Sequence, residues 1–345
     1  MRIDVHSHLM LPALEGKAGP YGPSCTVDDN GRIESRLGDV VSWQTSIDLQ
    51  DKIARDPTRA REHAEDWLRQ LSDPAVRLQE MDDKSIDMMG VTIPPLHYLY
   101  WADPSVGVPF ARAQNEALAE YCQHDPSRLF FVATLPLQDP QASVREIDYA
   151  IGELHAKGIN VGCTNLGGRE LDDPDFFPIY QKMAEFDVPL FIHPFPPTMA
   201  GTKRHPLGLD SAVDYISHET TAFATLLYSG VMDMFPDMKV YLTHGGGFVP
   251  YQFGRLEAFV GPKAAKAKLP LRDYLPRFYF DLLIHDVRAR RFLVEFMGAD
   301  NLVVGDNYAG MDSADGFGML AELQLPPDEE QRIAGDNAAR LFHLV

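Results

Sequence analysis

Eight short apolar runs, separated by stretches with a helical hydrophobic period, predict an α/β chain whose parallel strands close into a (β/α)8 barrel of the TIM type. An insertion after the first strand is expected to cap the C-terminal mouth. The competing architecture is a doubly wound open sheet, which would be favoured by a glycine-rich phosphate loop after the first strand. That strand instead runs into His6-Ser7-His8-Leu9-Met10-Leu11-Pro12, so the closed barrel is preferred. The predicted strands, in order, are Arg2–His6, Ile86–Ile93, Leu129–Leu135, Gly158–Cys163, Pro189–His193, Lys239–Thr243, Arg277–Leu283 and Asn301–Gly305. They are rich in Val, Ile, Leu and Phe, as strands covered on both faces must be. Between them, Ala142–Ala156 shows the helical period most clearly, with Val144, Ile147, Ile151 and Leu154 on one face.

One region breaks the βα rhythm. Residues 9 to about 80 are polar and rich in charge, Gly and Pro, including Gly16-Lys17-Ala18-Gly19-Pro20-Tyr21-Gly22-Pro23. We read about 12–75 as the cap, with a small β-element around Thr26–Arg36, inside a single domain spanning 1–345. The chain has 345 residues, 45% of them hydrophobic, with a formal charge of −19. That balance excludes an ordinary nucleic-acid binder, and an anionic substrate needs a local basic pocket. Three cysteines, Cys25, Cys122 and Cys163, form no CxxC pair and suggest no disulfide framework. No signal peptide and no run of about 18 apolar residues is seen. The expectation is a cytoplasmic protein with no membrane partner.

The chemistry gathers at the strand ends. In a β-strand His6 and His8 point the same way, and neutral imidazole is the commonest protein ligand for zinc. His193 ends the run Pro189-Leu190-Phe191-Ile192 and is followed by Pro194, which stops the ladder. His244 ends Val240-Tyr241-Leu242-Thr243 and precedes Gly245-Gly246-Gly247. Three glycines allow close backbone approach and leave room for substrate, which favours a catalytic histidine. The last strand ends in Gly305-Asp306-Asn307-Tyr308. An Asp there binds a metal, moves a proton or caps the following turn, and the residues alone leave all three open.

These residues carry a resemblance. The segments Ile3-Asp4-Val5-His6-Ser7-His8, Asp73-Pro74-Ala75-Val76-Arg77-Leu78-Gln79-Glu80-Met81-Asp82 and Leu135-Pro136-Leu137-Gln138-Asp139 open it. Phe191-Ile192-His193-Pro194, His218-Glu219-Thr220, Thr243-His244-Gly245-Gly246-Gly247 with Gly254-Arg255, and Asn337-Ala338 continue it in order. The chain resembles the amidohydrolase superfamily, in particular the group containing α-amino-β-carboxymuconate-ε-semialdehyde decarboxylase and γ-resorcylate decarboxylase. The resemblance implies His6, His8 and His193 as ligands of Zn²⁺, with Mn²⁺ the alternative, and His244 as the histidine that activates water or polarises substrate. It implies that Glu219 orients a histidine or water and that Phe195 lines the substrate pocket. It also implies that Arg255 crosses the interface of a homodimer, or higher homo-oligomer, to hold a substrate carboxylate. Further candidate anion anchors are Lys203, Arg204 and Arg59, with Trp101 and Tyr98 as aromatic walls.

The chain departs from the family at one place. The family ends its last strand in Gly-Ser-Asp or Gly-Thr-Asp, and that Asp is a metal ligand and proton shuttle. Here Asn307 falls at the Asp position and Asp306 one residue early. Three readings follow: a substitution that removed the catalytic carboxylate, Asn307 as a neutral metal ligand, or a bulge that swings Asp306 into place. The register of Gly305 and Tyr308 favours Asn307. The function implied is a metal-dependent, non-oxidative decarboxylase of an aromatic or unsaturated hydroxy- or amino-carboxylic acid. The alternative is a metal-dependent hydrolase or hydratase of a ring-cleavage product.

Overall fold

The computed structural model describes residues 1–38, 40–44, 46–195, 209–259, 266–308, 310 and 312–344. Its strands are β1 (Ile3–His8), β2 (Ser24–Val27), β3 (Ile33–Leu37), β4 (Val40–Gln44), β5 (Met88–Thr92) and β6 (Leu129–Phe131). They continue with β7 (Ala133–Thr134), β8 (Ile159–Val161), β9 (Leu190–Ile192), β10 (Val240–Leu242), β11 (Phe278–Asp281) and β12 (Leu302–Val303). β1, β5 and β6 pair in parallel, as do β7 to β12 in sequence order. β6 and β7 are two halves of one strand, linked through Val132, whose N–H donates to the Val91 carbonyl at 3.0 Å. The ring closes where β1 meets β12, with Asp4 opposite Val304 and the Val5 N–H donating to the Val304 carbonyl at 3.1 Å. The eight predicted strands therefore form one closed parallel barrel; all but the first are shorter than their apolar runs, and β1 instead runs on to His8.

Several helices that return the chain begin with one device. Asp73, Asp103 and Asp139 each accept backbone N–H groups of the first turn, and each is followed by Pro at the first helical position. The carboxylate satisfies orphan donors and complements the helix dipole, while Pro gives up an N–H that has no intrahelical acceptor. The Pro140–Gly152 helix carries the period read over Ala142–Ala156 and stops sooner.

The barrel has a closed end. Ile3, Val5, Phe130, Val132, Phe191, Tyr241, Tyr279 and Val303 form one apolar cluster with Ala338, Ala339, Leu341 and Phe342 of the last helix, Asn337–Phe342. Asn337 Nδ2 donates to the carbonyls of Ala299 and Leu302, both at 2.7 Å, which fixes that helix beneath the start of β12. Side chains fill the interior, as expected of a barrel this size. The ends of the strands that carry the histidines open into a cavity.

Between β1 and β5, the element expected around Thr26–Arg36 is the antiparallel sheet β2–β3–β4. The helices Ile47–Arg55, Ala60–Gln70 and Pro74–Asp83 follow it. Arg77, fully buried, ties this segment to the barrel. Its guanidinium donates to the carbonyls of His8 and Gln70, both at 3.0 Å, and stacks on the Tyr308 ring at 4.1 Å. Arg77→Met should leave those two carbonyls without the guanidinium donor and cost about 2–6 kcal/mol, at roughly 1–3 kcal/mol for each stranded group. Urea unfolding measures this, and a loss under about 1 kcal/mol would show that water replaces the guanidinium.

Candidate active site

His6, His8 and His193 converge at the strand ends, with one ligand nitrogen from each lying within 4.8 Å of the others. Partners on the far side of each ring set the tautomers. His6 Nδ1–H donates to Asp281 Oδ2 and His8 Nδ1–H to the Ile93 carbonyl, both at 3.3 Å. His193 Nδ1–H donates to its neighbour's carbonyl, that of Pro194. Each Nε2 is then a lone pair, and those of His6 and His193 are buried without a partner among the described residues. Burial lowers the pKa of all three rings, most strongly for His8 and His193, and a metal needs its imidazoles neutral. Neutral rings with orphaned, converging lone pairs are a donor set that fits a divalent ion.

β1 does not run straight to this point. Asp4 sits opposite Met89 and Ser7 opposite Val91, so β1 holds one extra residue between them. This is a bulge at the step that carries His6, and bulges re-aim side chains. Asp4 Oδ1 accepts the His6 N–H at 3.0 Å and the Asp306 N–H at 3.1 Å, which holds the irregular turn.

Outside the histidines lie carboxylates. Asp281, at the end of β11, accepts from His6, from the Tyr241 hydroxyl at 2.7 Å and from the Gly245 N–H at 2.9 Å. Burial works against its charge, but the bonds from His6 and Tyr241 and the nearby His244 ring hold it below the usual carboxylate range. Glu219, buried on the Tyr215–Tyr228 helix, accepts from His244 Nδ1–H at 2.8 Å and from the Thr243 hydroxyl. Burial disfavours a charged His244, yet the carboxylate of Glu219, with Asp312 and Asp281 further off, raises it to about 10. A bound dication would pull that value down. His244 sits edge-on to His6 and His193, with ring centroids 5.3 Å away in each case.

The cavity above measures about 1290 Å³. His8, His193, His244, Asn307 and Asp312 lie in its polar wall, and Trp67 and Leu71 of the inserted segment close it from the side. Leu96, Ile216, Phe248, Ile284 and Phe292 make much of the remainder apolar. Among its described lining residues the further cationic or titratable bases are His285 and Arg288, the latter bound to Asp286 at 2.7 Å.

Other residues singled out in the sequence lie elsewhere. Phe195 does not line the cavity: it is 2% exposed, wedged edge-on against Tyr98 and Tyr100, and packed over Gly162, where any side chain would collide with its ring. Tyr98 is likewise interior, donating to Asn160 Oδ1 at 2.9 Å. Trp101 is not in the cavity wall, and Arg59 binds Glu62 on the surface. Arg255 is exposed and stacks on Phe259 at 4.7 Å, outside its own chain's cavity. Lys203 and Arg204 lie outside the described residues. Asp306 is buried behind the wall, accepting the Gly316 N–H at 2.9 Å, and burial pushes it up to about 6. Asn307 takes the cavity-facing place in a left-handed conformation, φ 45°, which Asn tolerates better than most residues. That turn returns the chain so that the Tyr308 N–H donates to the His6 carbonyl at 3.2 Å.

Such a barrel, with a three-histidine cluster at its strand ends, defines a candidate metal-dependent enzyme. The chain belongs to the amidohydrolase family, whose model matches residues 3–344. It is 29% identical over 316 residues to 2-amino-3-carboxymuconate-6-semialdehyde decarboxylase of Dictyostelium discoideum, covering 89% of this chain and 81% of that protein. It is 30% identical over 218 residues to 2-keto-4-carboxy-3-hexenedioate hydratase of Sphingobium sp. (strain NBRC 103272 / SYK-6), covering 60% and 61%. Its fold matches that of dihydroxybenzoic acid decarboxylase from Polaromonas sp. JS666, solved with bound manganese and the inhibitor 2-nitroresorcinol. The TM-score is 0.74 at 20% identity, covering 99% of this chain and 97% of that one.

Asp281→Asn tests the support of His6. Losing the carboxylate that fixes its tautomer should weaken Zn²⁺ or Mn²⁺ binding about 10–100-fold, read by titration calorimetry on metal-free protein. Unaltered affinity would remove Asp281 from the site.

Proposed function

We propose that this chain is a metal-dependent, non-oxidative decarboxylase of an aromatic or unsaturated hydroxy- or amino-carboxylic acid. The observation that carries the reading is the set of orphaned histidine lone pairs at the floor of a mostly apolar cavity, beside a histidine held by a buried carboxylate. The decarboxylases among its relatives support it. His6, His8 and His193 would hold Zn²⁺, with Mn²⁺ the alternative, and Asn307 would add an oxygen donor. When bound, the ion supplies Lewis-acid polarisation of the substrate's oxygen donors.

The protein's own groups then have distinct tasks. Trp67 and Phe248 offer flat aromatic contact and Leu96 an aliphatic one to an unsaturated skeleton, displacing water from it. Glu219 fixes the Nδ1–H of His244, so the other nitrogen of that ring faces the reacting carbon. Protonated His244 donates from Nε2 to the carbon that bears the carboxylate. The C–C bond then breaks, its electron pair restores the unsaturation, and CO2 leaves. One proton enters and CO2 departs, so no oxidant is required, and solvent reprotonates His244.

The assembly we propose is a homodimer in which Arg255 reaches the partner's cavity. Arg255 is exposed on the Val249–Phe259 helix, whose first turn already lines its own chain's cavity. The chain is assigned to the cytoplasm, in keeping with three free cysteines, two of them buried.

Two measurements test the chemistry. Stripping the metal with a chelator should abolish CO2 release from a hydroxybenzoate or carboxymuconate panel, and Zn²⁺ or Mn²⁺ should restore it. His244→Asn should lower kcat by roughly 10²–10⁴-fold, the usual worth of general acid–base catalysis, with metal content unchanged. Full turnover in that variant would reassign the proton donor. The hydratase relative favours a second reading, hydration with water as nucleophile. Incorporation of ¹⁸O from labelled water without CO2 release would establish it in place of decarboxylation.

A further inference from the structure

Asn307 is 5% exposed, and its amide has an asymmetric environment. Nδ2–H donates to Asp312 Oδ1, whereas Asn307 Oδ1 is buried with no partner among the described residues. An ionised carboxylate only accepts hydrogen bonds. The NH2 group must therefore face Asp312, and the carbonyl oxygen is turned to the opposite side. The two ends of an amide are nearly the same size, so sterics alone would not choose between them. Asp312 makes the choice.

The orphaned oxygen lies in a telling place. Asn307 shares the cavity wall with His8, His193 and His244, and the next residue is hydrogen bonded to the His6 carbonyl. His8 and His193 of that wall converge with His6, one ring nitrogen of each lying within 4.8 Å of the others. Gly310 packs directly against this amide, where any side chain would collide with Asn307 Oδ1. Asp312 is absent from the set of converging ligand atoms formed by His6, His8 and His193. Its second oxygen lies 4.0 Å from His285 Nε2, and its side chain is 39% exposed to the cavity mouth.

We propose that Asp312 is a positioning residue for the metal centre: it locks the Asn307 amide so that its carbonyl oxygen, a neutral donor, is presented to the ion held by the three histidines. The inference rests on the metal site proposed above, not on the reaction assigned to it. The carboxylate also polarises the amide through the shared hydrogen bond, strengthening the oxygen as a donor. Negative charge that would otherwise touch the ion is placed one side chain further out.

A double-mutant cycle on metal-free protein tests this without measuring turnover. The readout is Mn²⁺ affinity, followed by the electron paramagnetic resonance signal of the free ion. Asp312→Ala and Asn307→Ala should each weaken binding by about 10–100-fold, the usual effect of losing a ligand's support. The double variant should bind no worse than Asn307→Ala alone, because Asp312 acts only through the amide. Gly310→Ala displaces the same amide by a different route, and its effect should likewise vanish once Asp312 is gone. That pair serves if Asn307→Ala does not fold, and melting of each metal-free variant checks folding. Undiminished affinity in Asp312→Ala overturns the proposal, and so do losses that multiply, which would make Asp312 an independent ligand. Wild-type protein that binds no Mn²⁺ would overturn the metal site itself, whatever the variants do.

Discussion

The site depends on how the barrel closes. Seven strand pairings follow one another along the chain, but the eighth joins the first strand to the last, and both carry functional residues. Asp4 sits at that seam and takes the backbone N–H groups of His6 and Asp306 on one oxygen. A single buried carboxylate thus sets the phase of β1, with its bulge, against the end of β12. Burial, reinforced by the charge of Asp306, pushes its pKa well up. A charge in that position is costly unless its lone pairs are used. The fold accepts this cost where regular pairing would aim His6 differently.

Charge is layered outward from the seam. The innermost groups are neutral imidazoles, which burial keeps deprotonated. Around them stand Asp281, hydrogen bonded to the buried His6 ring, and Glu219 and Asp312, hydrogen bonded to a ring and an amide in the cavity wall. This order suits a dication at the centre: neutral lone pairs touch it and anions balance it at one remove. It also bears on a chain of net charge −19, whose overall field repels an anionic substrate. An ion held there, with His244, would supply the local positive potential that such a substrate needs.

The barrel and the three histidines were legible because both are written in local pattern. Short apolar runs that end in His-x-His, His-Pro or His-Gly-Gly report a strand and its rim together. Asp281 was missed, although its signal was present: a lone Asp that interrupts Phe278-Tyr279-Phe280 and Leu282-Leu283 ends a strand the sequence had already located. Phe195 was assigned to the pocket because it follows His193-Pro194. The glycine at 162 gave its ring a closer berth in the core, and adjacency along the chain says nothing of such a contact. Asp312 had no signal, since it lies five positions beyond Asn307 and nothing in the sequence pattern pairs their side chains. Arg77 illustrates the same limit, because the two carbonyls it joins belong to segments that meet only in three dimensions.

With Asn307 as a neutral donor, the division of labour in the site changes. A carboxylate ligand would both lower the ion's effective charge and hold a proton, whereas an amide does neither near neutral pH. The ion would then keep more of its charge, which favours polarisation of a bound oxygen. Proton storage must pass to a neighbouring group that faces the cavity. Asp306 is unsuited, because it is turned into the wall and bound to the Gly316 N–H. Among the described residues His244 is placed for the task. Glu219 raises its proton affinity, and the ring touches those of His6 and His193. On that reading, Asn at 307 and a carboxylate-backed histidine at 244 would be two halves of one arrangement, in which the ion supplies Lewis acidity and a separate residue donates the proton.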